Sequence, residues 1–174
     1  GYHHTAFATK DLEATHAFYT EAMAFELAKV VTGPSPEGGW AKHVFYETGT
    51  DEYIAFWELH DMRIPDTWSP AISTGMGLPA WVNHLAFKAT SLADIEVRKQ
   101  RWLDHGYAVL RVDHGFCVSI YTNDPNGILV EFCMTTKPLD AEDRAEALRL
   151  LRDPNPPLEA PPAAEYFEAV KSNK

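Results

Sequence analysis

Apolar positions along the chain change period several times, and the order of the changes repeats. Residues 3–9 and 82–89 are short β-rich runs, and each is followed by a residue suited to cap a helix, Asp11 or Ser91. In the first helical stretch Leu12, Tyr19, Ala22 and Met23 recur at helical spacing. The methyl of Thr15 bridges the gap and Phe18 flanks the stripe, so one face is apolar. In the second, Leu92, Ile95, Val97 and Trp102 serve less regularly, and His105-Gly106 ends the helix. Three strands then follow in each copy, near 25–32, 40–48 and 53–59, and near 107–112, 115–123 and 127–134. The unit is βαβββ, twice.

The identities of the residues repeat as well as the pattern. His4-Thr-Ala-Phe-Ala-Thr-Lys-Asp-Leu12 matches His84-Leu-Ala-Phe-Lys-Ala-Thr-Ser-Leu92 at His, Ala, Phe and Leu. Downstream, Leu27–Val30 aligns with Val109–Val112, and Val44-Phe-Tyr46 with Ser119-Ile-Tyr121. Two copies at so long a period indicate a duplicated supersecondary unit, not a solenoid. The expected fold is therefore α+β, with paired βαβββ modules forming a curved mixed sheet. The organisation follows: a first module over 1–60, a connecting loop or lid over 61–81, a second module over 82–135, and a C-terminal helix and Pro-rich tail over 136–174.

Asp124-Pro125-Asn126-Gly127 predicts a tight turn that folds the last two strands into a hairpin, bringing Tyr121 and Glu131 together. Glu131 stands among Ile, Leu, Val, Phe and Cys, where a carboxylate needs a cation or hydrogen bonds to offset its desolvation. The connection at 61–81 is too apolar for a plain linker and reads as a lid or binding loop, whereas 33–39 reads as a mobile loop. The stretch 139–152, led by Leu139 or Asp140, reads as an amphipathic helix, and the tail after it as a surface or partner wrap without chemistry.

Charge narrows the partners. Fifteen basic against twenty-five acidic residues give a formal charge of −10, which disfavours nucleic acid and anionic membranes. No apolar run approaches the roughly 20 residues of a membrane span, and the polar N-terminus does not resemble a secretion signal. Cys117 and Cys133 lack metal-site spacing and read as reduced residues, which places the expected location in the cytoplasm. A homodimer is the default for a symmetric assembly.

Two histidines and one carboxylate can hold one face of a divalent ion and leave the opposite positions open, as O2-activating Fe(II) enzymes require. Val112-x-His114, then Ile120-Tyr121-x-x-Asp124-Pro125-x-Gly127 and Glu131, together with the duplication over about 2–135, resemble the vicinal oxygen chelate superfamily. The closest likeness is to its type I extradiol ring-cleavage dioxygenases. The resemblance implies metal ligands at His4, His84 and Glu131, with His114 as the acid–base residue and Tyr121 as the substrate-binding hydroxyl. It also implies Fe(II), or Mn(II), as cofactor, with a small aromatic diol and O2 as substrates. His3 alternates to the face opposite His4.

In one respect the chain departs from that family: residues 49–56 hold no counterpart of the catalytic histidine of the first module, and His43 and His60 are the nearest substitutes. Two alternatives follow from the same residues. If Glu58, and not Phe56, is the repeat mate of Glu131, the set becomes His4, Glu58, His84 and Glu131, similar to metal-dependent isomerases of the glyoxalase I or epimerase kind. A metal-free ligand-sequestering protein of the resistance type is the other. Phe56, Trp57, Trp68 and Phe116 are the expected pocket wall.

Overall fold

The computed structural model describes residues 1–49 and 51–170; residues 171–174 of the expected tail lie outside the described residues. Strand β1 (His4–Thr9) leads into α1 (Leu12–Ala17), whose cap Asp11 accepts a hydrogen bond from the amide of Ala14. A single π-helical turn (Phe18–Ala22) extends α1 and buries Phe18, Tyr19 and Ala22. Strands β2 (Glu26–Pro34), β3 (Trp40–Glu47) and β4 (Tyr53–His60) complete the first half. The second half repeats the order with β5 (His84–Lys88), α2 (Leu92–Asp104), β6 (Val109–Asp113), β7 (Cys117–Asn123) and β8 (Leu129–Thr135). Ser91 caps α2, as the spacing predicts. Helix α3 (Ala141–Arg152) and strand β9 (Ala163–Phe167) follow.

The strands form two mixed sheets, ordered β1-β4-β3-β2 and β5-β8-β7-β6-β9. In each, the first strand pairs in parallel with the fourth, and the remaining pairs are antiparallel. Alternation gives each sheet an inner and an open face. Val44, Tyr46, Ile54 and Phe56 of the first sheet, and Val118, Ile120, Val130 and Phe132 of the second, turn inward into a single core with the π turn and α2. The halves are joined there by Phe25, which meets Phe87 and Phe132 edge-on at 5.1 and 6.2 Å. Phe18 meets Tyr107 at 4.9 Å.

A buried polar staple runs through the same core. Asp124 accepts hydrogen bonds from the amides of Asn126 and Ile128 at 2.8 Å each, from the Asn126 side chain at 3.0 Å and from the Tyr19 hydroxyl at 3.1 Å. Asn126 in turn donates to Thr15, which bonds Thr9. The turn residues thus bind the second half to the first helix as well as closing a hairpin. Gly127 sits at φ 74°, where a Cβ would also press on Ala71 at 3.2 Å.

Several expectations change. The apolar stripe of α2 buries Ile95, Trp102 and Leu103, while Leu92 and Val97 face solvent. Helix α3 buries no residue. The tail is more than a wrap: β9 hydrogen-bonds along β6, in register from Val109 opposite Phe167 to Asp113 opposite Ala163, and widens the second sheet.

Candidate metal centre

The open face of the second sheet gathers the signature. Register sets Tyr121 directly across from Glu131, and Ala86 beside Glu131, with His84 one residue pair further along β5. Glu131 is 5% exposed, yet among the described residues no Lys or Arg forms an ion pair with it, and its one such partner is His84. Its Oε1 accepts from Ser119 at 2.5 Å, and its Oε2 lies 3.1 Å from Nε2 of His84. Nδ1 of His84 stands 2.9 Å from the carbonyl of Trp81, which can only accept, so Nδ1 carries a proton there. In the neutral ring, Nε2 is then a lone pair aimed at a carboxylate lone pair.

Two lone pairs at that separation repel unless something positive lies between them. Donors about 2.1 Å from one ion and at right angles stand about 3 Å apart, so the pair fits a divalent cation of the borderline or hard kind. The Trp81 bond is also the kind of outer contact that fixes a ligating imidazole. Beside the pair, Nε2 of His114 and the Tyr121 hydroxyl are 3.0 Å apart. Burial, and then the nearby Glu131 carboxylate, push the Tyr121 phenol well above its ordinary range, so it remains protonated and able to donate.

A cavity of about 580 Å³ opens over this face, walled by Trp81, Leu110, Val112, Leu129 and Tyr166, with His84, His114 and Tyr121 along its floor. Trp81 comes from the connecting segment expected to act as a lid, and Tyr166 from the tail expected to carry no chemistry. The latter was missed because ten Pro-rich residues hide a five-residue strand that only pairing with β6 stabilises. The expected wall is corrected in parts. Phe56 is fully buried in the core, Trp57 stacks on His43 in the other sheet, and Trp68 lies under Lys10. Phe116 is half-exposed, 6.4 Å from His114, and is not among the residues lining the cavity. Cys117 and Cys133 are free thiols flanking Ser119 on the open face; burial pushes Cys133 up to about 11.

His4 is not brought to this pair. It lies on the open face of the first sheet, 5.9 Å from His43 and 5.4 Å from Phe45 between ring centres, with its Nδ1 2.8 Å from that of His3. Among the described residues no group of three or more His, Cys, Asp or Glu that could hold an ion comes together.

Register also settles the repeat mates. As Ala86 faces Glu131 in the second half, Ala6 faces Ala55 in the first, and Ala55 stands across from Phe45. The mate of Glu131 is therefore Ala55, and that of Tyr121 is Phe45, not Tyr46. Glu58 points to the other face. There it bonds Lys42 at 2.8 Å and His60 at 3.0 Å, so the four-ligand set does not form from it.

The family comparison agrees with this architecture. Residues 1–132 match the model of the Glyoxalase/Bleomycin resistance protein/Dioxygenase superfamily, and the chain belongs to it. A glyoxylase/bleomycin resistance protein/dioxygenase domain from Frankia sp. EAN1pec is 18% identical, with a TM-score of 0.59, over 78% of this chain and 97% of that one. The fosfomycin resistance protein FosX from Listeria monocytogenes is 20% identical with a TM-score of 0.53, over 83% and 97%. A lactoylglutathione lyase from Agrobacterium tumefaciens is 21% identical with a TM-score of 0.53, over 77% and 92%. At such identities the likeness is one of fold. No curated protein matches the chain. Members of the superfamily typically bind a divalent metal, and the described helices include none long and apolar enough to cross a membrane.

Proposed function

We propose that the protein opens an aromatic ring next to vicinal hydroxyls, using O2 and Fe(II), with Mn(II) as the substitute the same ligands accept. The observation that carries this reading is the facing His84–Glu131 pair beside the Tyr121–His114 pair, under an apolar cavity of about 580 Å³. His84 and Glu131 hold the ion from this face, while His4, expected from the resemblance as the third ligand, stands on the open face of the first sheet. The bound metal supplies the charge that lowers the cost of deprotonating a diol and brings diol and O2 together.

The chain's own residues supply the rest. Ser119 fixes one carboxylate oxygen of Glu131 and leaves the other free to ligate. The Tyr121 hydroxyl, kept protonated by burial, donates to a diol oxygen. His114, bonded to Tyr121 at 3.0 Å, relays a proton between that oxygen and solvent. Leu110, Val112 and Leu129 keep water from the ring and suit an aromatic body better than a charged one. Both atoms of O2 enter the product as the carbon–carbon bond breaks, so no further reductant is consumed.

A carboxylate with so little exposure argues for a metal enzyme over a metal-free binder, which gains nothing from burying it. The isomerase alternative loses its fourth ligand, because Glu58 faces away and Ala55 stands where a second carboxylate would be needed. The test is anaerobic Fe(II) loading, then a panel of catechols in air, followed by O2 uptake and the yellow ring-opened product. Uptake with at least one catechol is expected; no uptake with any, beside isomerisation of a hemithioacetal, refutes the reading.

A further inference from the structure

On the inner face of the first sheet, opposite the face that carries His4, the two halves of the duplication differ. Counting from the mates Phe45 and Tyr121, Lys42 corresponds to Val118, and its cross-strand partner Glu58 corresponds to Met134. Val118 is buried in the core and Met134 packs against it, so the second half closes this position with apolar contact. The first half leaves it open. Only Thr15 of α1 is buried, whereas α2 buries Ile95, Trp102 and Leu103. Between α1 and the sheet lies a cleft of about 380 Å³, lined by Leu12, Leu27, Val30 and Val44 and by the Lys42–Glu58 pair. Leu27 and Val30 are exposed there. Nζ of Lys42 stands 2.8 Å and Nε2 of His60 3.0 Å from the same oxygen, Oε2 of Glu58. Yet that oxygen and that nitrogen are buried with no aligned hydrogen-bond partner among the described residues. Burial by itself would raise the Glu58 carboxyl, but Lys42 and His60 hold it below its ordinary value, so it is charged at neutral pH. A charge pair left short of hydrogen bonds costs stability that an apolar pair such as Val118 and Met134 does not.

We propose that this cleft binds a free α-amino acid with an apolar side chain, its carboxylate on Lys42, its ammonium on Glu58 and its side chain among Leu12, Leu27 and Val30. Charge selects this occupant. A simple anion would meet Glu13 and Glu58 on a chain of formal charge −10, and a simple cation would meet Lys42. A neutral apolar molecule would strip water from the ion pair and put nothing in its place. A zwitterion presents the opposite sign to each member of the pair, and the exposed Glu13 reinforces the ammonium side. Burial pushes the Tyr46 phenol up to about 12, so its hydroxyl stays protonated; it lies 3.2 Å from Nδ1 of His16, and both residues line the cleft as a further polar pair. The size is that of a small-ligand pocket. The metal centre takes no part, since Lys42 and Glu58 face away from it.

Titration of the full chain with L-leucine and L-phenylalanine, followed by calorimetry and by NMR amide shifts, tests this. Saturable binding of leucine is expected, with shifts at Leu12, Val30 and Val44. Affinity should fall at least about tenfold for isocaproate, which lacks the ammonium, for isoamylamine, which lacks the carboxylate, and for glycine, which lacks the apolar side chain. The Lys42→Val, Glu58→Met double variant copies the Val118–Met134 pair of the second half. It should therefore fold with a urea midpoint no lower than wild type and lose leucine binding, while its Mn(II) uptake equals that of wild type. Should the double variant prove unfolded by circular dichroism, Glu58→Gln replaces it and should weaken leucine at least about tenfold. Absence of saturable binding of either amino acid at millimolar concentration overturns the inference. So does leucine binding that the folded variant retains, or that isocaproate or isoamylamine matches.

Discussion

Replacing Asp124 by alanine should loosen the whole molecule, although the residue lies in a turn. Its carboxylate accepts four hydrogen bonds, from two amides of the turn, from Asn126 and from Tyr19 of the other half. Tyr19, Asn126 and Ile128 are all buried, so water does not readily replace the lost acceptor. Leaving a buried donor unsatisfied costs about 1–3 kcal/mol; four at the low end give about 4 kcal/mol, or roughly 8–16 °C in Tm for a domain of this size. Asp124→Asn keeps one acceptor oxygen for the two amides and should cost about half as much. The pH response adds a second signature. Burial, the largest cause, raises the Asp124 pKa above the ordinary carboxylate value despite the hydrogen bonds that lower it. Stability tied to this group is therefore present at low pH and lost as pH rises through the folded-state pKa, and Asp124→Asn should remove that slope. Urea titrations of the three proteins across pH measure both effects. An Asp124→Ala variant within about 1 kcal/mol of wild type refutes the idea that the turn staples the halves.

Three further outcomes follow from the site. Glu58→Ala should leave Mn(II) affinity within twofold of wild type, since the carboxylate bonds Lys42 and His60 on the inner face; equilibrium dialysis checks it, and loss of the ion would restore the four-ligand site. Tyr166→Ala removes the wall that β9 contributes to the cavity and should weaken binding of aryl-substituted catechols about tenfold by tryptophan fluorescence, with unsubstituted catechol little changed. Tyr121→Phe should keep the metal and lower kcat about 10- to 100-fold in O2 uptake, because only the donated hydrogen bond is lost.

Much of the fold was legible because duplication and alternation are local signals. The order βαβββ, the caps Asp11 and Ser91, and the facing of Tyr121 and Glu131 all follow from sequence. What escaped depends on pairing across the chain. Counting along the strands made Tyr46 the mate of Tyr121, but the ladder aligns Phe45 there, and a one-residue slip moves a side chain to the other face. The same slip turned Glu58 from a candidate ligand into an inner-face ion pair. Strand β9 has no period of its own to announce it, since its order comes from the free edge of β6. The candidate ligands themselves were legible, but not the separation of His4 from His84 and Glu131: a repeat shows which residues are equivalent and leaves open whether the two halves meet within one chain.

The central claim is that Glu131, facing His84 at 3.1 Å, is a metal ligand. Dialysis of wild type and Glu131→Ala against Mn(II), with bound metal counted by atomic spectroscopy, tests it most directly. The account predicts tight binding of one ion per chain in the wild type and at least a 100-fold loss of affinity in the variant, with the fold intact by circular dichroism. A folded Glu131→Ala protein that keeps wild-type occupancy would contradict it.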